Sequence, residues 1–231
     1  INFSDFNTSQ VINMVSMFSG CSSLISLDLS NFDTSQVTNM PSMFSGCSSL
    51  TSLDLSNFDT SQVRDIGYMF SECYSLLSLN LSNFNTSQVE LMDYTFSGCS
   101  SLISLDLSNF NTSQVRNMRS MFSNCSSLIS LDLLNFDINN EINVDSMFSG
   151  CKELNFINLE NAILNDSNIF NSASDNLVVC TNKFFNIFSE NISINCINKT
   201  QENENKINCY TNKKNALVKS YLTFHPIGPN F

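Results

Sequence analysis

Six cysteines, Cys21, Cys47, Cys73, Cys99, Cys125 and Cys151, recur every 26 residues, and a column of thiols is the first place to look for chemistry. Zinc sites use close pairs such as C-x-x-C, and the chain has none. Disulfides need Cβ atoms about 3.5–4.5 Å apart, whereas identical side chains on stacked strands stand about 4.8 Å apart. The spacing therefore predicts a reduced, buried ladder in which cysteine is a small apolar filler. Cys180, Cys196 and Cys209 lie instead in a polar tail, where a covalent staple would help. One disulfide pair is expected among them, with the odd member left to bond elsewhere.

Other reactive residues point away from catalysis. His225 is the single histidine, sits beside Pro226 and has no acid or nucleophile near it in sequence, so neither an enzyme nor a cofactor is expected. The column Asp28, Asp54, Asp106 and Asp132, with Asn2, Asn80 and Asn158 interspersed, offers one carboxylate per repeat. That is too few oxygens for a calcium site of six to eight ligands, so a solvated face is expected, with Asn relieving repulsion along the stack. Sequons occur at nine asparagines, but this composition gives roughly eight matches by chance, so they do not establish secretion. If the protein is glycosylated, Asn191 and Asn198 in the tail are the first candidates. Asn165, Asn85, Asn111 and Asn7 follow, and Asn124 beside Cys125 is the poorest.

What must position these residues is a repeat. A fixed period marks a stacked array, in which length sets the number of turns rather than the number of domains. Leu24, Leu27 and Leu29 return as Leu50, Leu53 and Leu55 and in three further copies. Their L-x-L alternation predicts a short strand with one face buried, and successive strands would form a parallel sheet. Two phenylalanine columns complete the core: Phe6, Phe32, Phe58, Phe84, Phe110 and Phe136 after the strand, and Phe18, Phe44, Phe70, Phe96, Phe122 and Phe148 opposite. Val37, Met40, Met43 and Phe44 recur at three- and four-residue steps, which predicts a short helix. Asp33 and Gln36 would form its capping box, and the column of Gly20, Gly46, Gly98 and Gly150 its C-cap.

The string L-x-S-L-D-L-S-N-F-D-T-S-Q-V-x-N-M-x-x-M-F-x-x-C resembles the repeat of BspA-like leucine-rich-repeat surface proteins, over about residues 1–160. The resemblance implies an α/β leucine-rich-repeat solenoid with a parallel sheet on one face, short helices on the other and a C-terminal cap. It also implies an extracellular or cell-surface location and a role in binding proteins, matrix or cells. One departure stands out: Phe32 and its copies occupy the usual asparagine position, and Asn31, Asn57, Asn83, Asn109, Asn135 and Asn161 come one residue earlier.

The pattern decays from Asn161, which divides the chain into a solenoid of about six turns at 1–160 and a degenerate turn with a cap or tail at 161–231. Strands are expected at 177–180 and 216–224, and a helix at 183–189. Ile1, Phe3 and Phe6 align with Leu27, Leu29 and Phe32, so the chain is read as opening part-way through a repeat, with any signal or anchor outside it. With 10 Lys+Arg against 21 Asp+Glu the net charge is −11, which argues against nucleic acid and anionic lipid. No apolar run approaches the roughly 20 residues of a membrane span.

Columns that vary between repeats are free to serve a partner. Tyr68 and Tyr94 interrupt a serine column, and Arg64, Tyr74, Arg116 and Arg119 lie nearby in sequence; these residue types anchor interfaces. Ile25, Leu77, Ile103 and Ile129 form an apolar column broken by Thr51, either an exposed contact stripe or a half-buried sheet edge. The expected function is non-catalytic recognition or adhesion towards a protein or glycan. The rival is a structural subunit that stacks into a filament or coat.

Overall fold

The computed structural model describes residue 3, residues 6–164 and 168–181, and the strands at 193–197 and 208–211. Each repeat makes one turn of a stack. Three-residue strands recur at the L-x-L core: β1 (Ser52–Asp54), β2 (Ser78–Asn80), β3 (Ser130–Asp132) and β4 (Phe156–Asn158). They are followed by β5 (Val178–Thr181), β6 (Ser193–Ile197) and β7 (Asn208–Thr211). β1 pairs in parallel with β2; a second sheet has the order β3-β4-β5-β7-β6, parallel as far as β5 and antiparallel beyond. Leu53 pairs with Leu79 and Leu131 with Ile157, so identical columns stack in register.

The strands are short because an aspartate or asparagine ends them. Asp54 Oδ1 accepts the Ser56 N–H at 3.0 Å, and Asp28, Asn80 and Asp106 do the same two residues on. Such a local bond turns the chain out of the sheet.

The short helices expected on the opposite side are absent: no helix occurs among the described residues. Consecutive tight turns stand in their place. Alternate N–H groups bond within the turn, as from Ser45 to the Ser42 carbonyl at 3.1 Å and from Cys47 to Phe44 at 3.0 Å. The others reach the next repeat, Ser42 to Gly67 at 2.8 Å, Phe44 to Met69 at 2.9 Å and Gly46 to Ser71 at 2.7 Å. A helix would direct every one of these donors four residues back along its own chain. The column Ser16, Ser42, Tyr68, Tyr94, Ser120 and Ser146 also has φ between +52° and +59°, which no right-handed helix accommodates. Met40, Met43 and Phe44 still face inward and are fully buried.

The capping box is likewise replaced. Asp33 Oδ1 accepts the Ser35 N–H at 3.0 Å, a turn two residues long. The next residue, Thr34, is buried, and its hydroxyl donates to the Asp59 carbonyl at 3.0 Å while accepting the Asp59 N–H at 2.8 Å. Thr8, Thr60 and Thr86 repeat this two-way bond. The glycine column is left-handed, but it ends a turn rather than a helix, and Glu72 and Asn124 hold φ of +62° and +59° in the same column.

The displaced asparagines do form a ladder. Asn57 Nδ2 donates to the Leu29 carbonyl at 2.9 Å, Asn109 to Leu81 at 3.0 Å and Asn161 to Leu134 at 2.8 Å, with Asn83 bonded to Ser56 and Asn135 to Ser108 between them. The opposite phenylalanines stack continuously, with centroids 5.6 Å apart for Phe18–Phe44 and 5.4 Å for Phe148–Phe170. That last pair spans 22 residues, as does the pairing of Phe156 with Val178. The seventh turn is therefore four residues short, and Ala173 falls in the cysteine position, where an unbroken 26-residue period would have put Leu177. β5 covers most of the strand expected at 177–180; the segments expected at 183–189 and 216–224 lie outside the described residues.

Candidate functional site

Two surfaces gather the candidate residues. On the outer side of the strands, Ile25, Leu77, Ile103 and Ile129 are 64, 58, 51 and 47 % exposed. Their backbone is held from repeat to repeat, the Ile129 N–H donating to the Ile103 carbonyl at 3.1 Å. This fixes the column as an exposed apolar row, although its side chains gain nothing from the core.

Three residues further along each repeat runs the acidic column. Asp28, Asp54, Asp106 and Asp132 are all exposed. The Ser30 and Ser56 backbone N–H groups, with their hydroxyls, hold the Asp28 and Asp54 carboxyls below the usual range. Asn80 Nδ2 donates to Asp54 Oδ1 at 3.0 Å and Asn158 to Asp132 at 2.9 Å, so the interspersed asparagines bridge the carboxylates.

On the opposite side the structure brings Tyr68, Tyr94 and Arg119 together. The two rings stack with centroids 4.6 Å apart and planes 12° from parallel. Arg119 lies beside the Tyr94 side chain and pairs with Asp145 at 3.4 Å. Arg64 and Arg116 belong to a separate ion-pair ladder, meeting Glu90 at 3.1 and 3.5 Å. Tyr74 lies apart, its ring against Gly98.

Sequence reasoning missed the acidic partners. Arg64, Glu90 and Arg116 are successive members of one column, as are Gly67, Asp93, Arg119 and Asp145. Alternating charge at the repeat period was the signal that would have found them.

The cysteine ladder carries no site. Cys47, Cys73, Cys99, Cys125 and Cys151 are fully buried free thiols, whereas Cys21 in the first turn is exposed. Each buried Sγ lies against a phenylalanine carbonyl of the preceding repeat, as Cys99 does with Phe70 at 3.2 Å. Burial pushes Cys73 and Cys151 up to about 12 and Cys47 to about 11. A thiol alkylating reagent at pH 8 should therefore label Cys21 promptly and the buried five only after denaturation, without reductant. Denatured protein that required reductant before those five reacted would refute the ladder.

In the tail, Cys180 is disulfide-bonded, and its backbone register neighbour is Cys209 on β7. Of the sequons, Asn7, Asn85, Asn111 and Asn124 are exposed. Asn165, Asn191, Asn198 and His225 lie outside the described residues. Among the described residues, no group of three or more His, Cys, Asp or Glu is placed to hold a metal ion, and no helix is long and apolar enough to cross a membrane.

No curated protein and no solved structure matches the chain. A family model described as "Mycoplasma protein of unknown function, DUF285" matches residues 1–79 and again 53–162, two overlapping placements that follow the repeats. Together they span the whole stack of full-length turns, and the chain belongs to this family of repeat proteins.

Proposed function

We propose that the chain is the recognition part of an extracellular or cell-surface protein, a leucine-rich-repeat solenoid of the BspA-like kind that adheres to a protein partner and performs no catalysis. The observation that carries this reading is the row of Ile25, Leu77, Ile103 and Ile129, exposed on a molecule whose Leu53, Leu55, Leu131 and Leu133 are buried. Exposed apolar rows of this kind mark contact surfaces. The acidic column three residues further along each repeat selects the partner's chemistry: an apolar strip flanked by lysine or arginine. A net charge of −11 works in the same direction.

The test is binding of the purified chain to panels of matrix proteins and of glycans, compared with Leu77→Ser/Ile103→Ser/Ile129→Ser. The three side chains are solvent-exposed, so the melting temperature should hold. Affinity for the protein partner should fall at least about tenfold, since central apolar anchors dominate interface energetics. Unchanged binding would remove the sheet face from the reading. Light scattering that grows with concentration, in wild type but not in the variant, would favour the filament subunit instead.

A further inference from the structure

We propose that the chain carries its own occupant for the apolar row. The segment after β7, residues 213–224, lies back along Ile129, Ile103 and Leu77 with its lysines against the acidic column, so a partner must displace it to bind. This rests on the sheet-face reading, in taking the row as a contact surface, and adds what regulates that surface.

The path of the chain leads there. Ser130 of β3 pairs with Phe156 of β4, Phe156 with Val178 of β5, and Val178 with Thr211 of β7. Thr211 therefore stands level with the residue that follows Ile129. β7 is antiparallel to β5, so the chain leaving Thr211 heads for the side on which β3, β4 and β5 begin, the side of Ile129. The backbone of the row runs to the same place: the Asn155 N–H donates to the Ile129 carbonyl at 2.8 Å, and the Val178 N–H to the Asn155 carbonyl at 2.9 Å.

The reach is sufficient. Three strand spacings, about 14 Å, separate β7 from the repeat of Ile129, and five, about 24 Å, from that of Leu77. An extended chain covers about 3.3 Å per residue. Leu217 lies about 20 Å of chain beyond Thr211, enough to meet Ile129, and Leu222 about 36 Å, enough to meet Leu77.

The chemistry of the two surfaces is complementary. Lys213, Lys214 and Lys219 flank Leu217, Val218 and Leu222. Residues 212–231 contain these three lysines and no aspartate or glutamate, in a chain whose net charge is −11. Opposite them stand the exposed Asp54, Asp106 and Asp132. Among the described residues none of these carboxylates is in an ion pair, whereas Arg64, Arg116 and Arg119 each are. An apolar strip with lysines thus meets an apolar row with carboxylates. Because the segment is joined to the same sheet, it meets the row at an effective concentration on the order of mM. An affinity too weak to hold it as a separate peptide still keeps the row covered.

The experiment is zero-length carbodiimide coupling of the full chain at low ionic strength, with the new isopeptide bonds located by mass spectrometry. Lys213, Lys214 or Lys219 should couple to Asp54, Asp106 or Asp132 within one copy at least about tenfold more than to Asp93 or Asp145 on the opposite side of the stack. Salt at about 1 M, where the screening length falls to about 3 Å, should cut that yield several-fold. Leu77→Ser/Ile103→Ser/Ile129→Ser and Leu217→Ser/Leu222→Ser each leave every lysine and carboxylate in place, and each should lower it about tenfold. A synthetic peptide of residues 212–226 should bind Leu217→Ser/Leu222→Ser at least about tenfold more tightly than wild type, whose row is already filled. Coupling spread evenly over both sides of the stack, coupling found only between two copies, or equal peptide affinity for wild type and variant would overturn the proposal. Coupling to the column in a chain whose adhesion is indifferent to the row variant would uphold it and remove the sheet-face reading. Adhesion that depends on the row in a chain without such coupling would do the reverse.

Discussion

Raising the pH above about 9 should unfold the protein over a narrow range, with reductant present throughout. Cys73 and Cys151 hold their protons up to about 12, Cys47 to about 11, and Cys99 and Cys125 well above the ordinary thiol range, because burial disfavours the thiolate. In the unfolded chain the same groups ionise near 8.5. The folded values are raised, so this contribution is complete below the unfolded value and is lost as pH climbs towards the folded one. Each thiol then removes about 1.4 kcal/mol per pH unit. Several acting together exhaust a stability of about 5–15 kcal/mol within one or two units. Circular dichroism against pH should show the transition, and Cys99→Ser/Cys125→Ser should flatten it by about 3 kcal/mol per pH unit. A stack that keeps its signal to pH 12, or a slope unmoved in the double variant, would contradict this account.

Phe70→Ala should destabilise the protein by about 3–5 kcal/mol, the usual cost of emptying a buried phenylalanine position. Phe70 is fully buried, with Phe44 5.7 Å away on one side and Phe96 5.6 Å on the other. One substitution removes a ring contact from two repeat interfaces, so the loss should not stay local. Calorimetry should show a fall in melting temperature on the order of 10 °C, and amide exchange should quicken first in the repeats of Phe44 and Phe96. A drop of only a few degrees would mean that the neighbouring rings close the gap and the column is not a continuous support.

The core was legible because the same residue must fill the same place in every repeat. The cysteine, leucine and phenylalanine columns could be read as largely buried from their period alone, since each copy tests the others; the first turn departs from it, with Phe6 and Cys21 exposed because no earlier repeat covers them. The helix was misread for a physical reason. Val37, Met40, Met43 and Phe44 face inward at three- and four-residue steps, and consecutive tight turns satisfy that spacing as well as a helix does. What distinguishes them is where alternate N–H groups go, and those donors bond to another copy that no window of sequence contains. A local warning was present, since Pro41 and Gly67 occupy mid-segment positions that a helix tolerates poorly. The turns accommodate both. Other repeats bond that N–H to an asparagine or aspartate side chain, as Gly67 does to Asp65; beside Pro41, which has no N–H, Asn39 bonds to Thr38 instead.

The buried threonines were hidden by their neighbours. D-T-S-Q reads as a cap because aspartate and glutamine are the familiar capping types, yet the bond that matters belongs to the threonine hydroxyl. Its persistence at one position, in a chain that otherwise favours serine, was the available clue. Ile138 ends the series by supplying a buried apolar group in place of the hydroxyl. The tyrosine pair was legible as an exception to its column, but the pairing of the nearby Arg119 with Asp145 was not, because the two come together only when adjacent repeats stack.

The lateral bonding of the turns also governs how the molecule would carry mechanical load. Every full-length repeat is fastened to the next by a row of hydrogen bonds on the turn side, strand pairing adds to this in part of the stack, and the described residues include no helix to extend on its own. Tension applied at the two ends of the chain would open one interface at a time, as a zipper parts. Each released repeat of 26 residues would lengthen the chain by about 90 Å at full extension. A stack built this way yields in equal steps and dissipates work at each one.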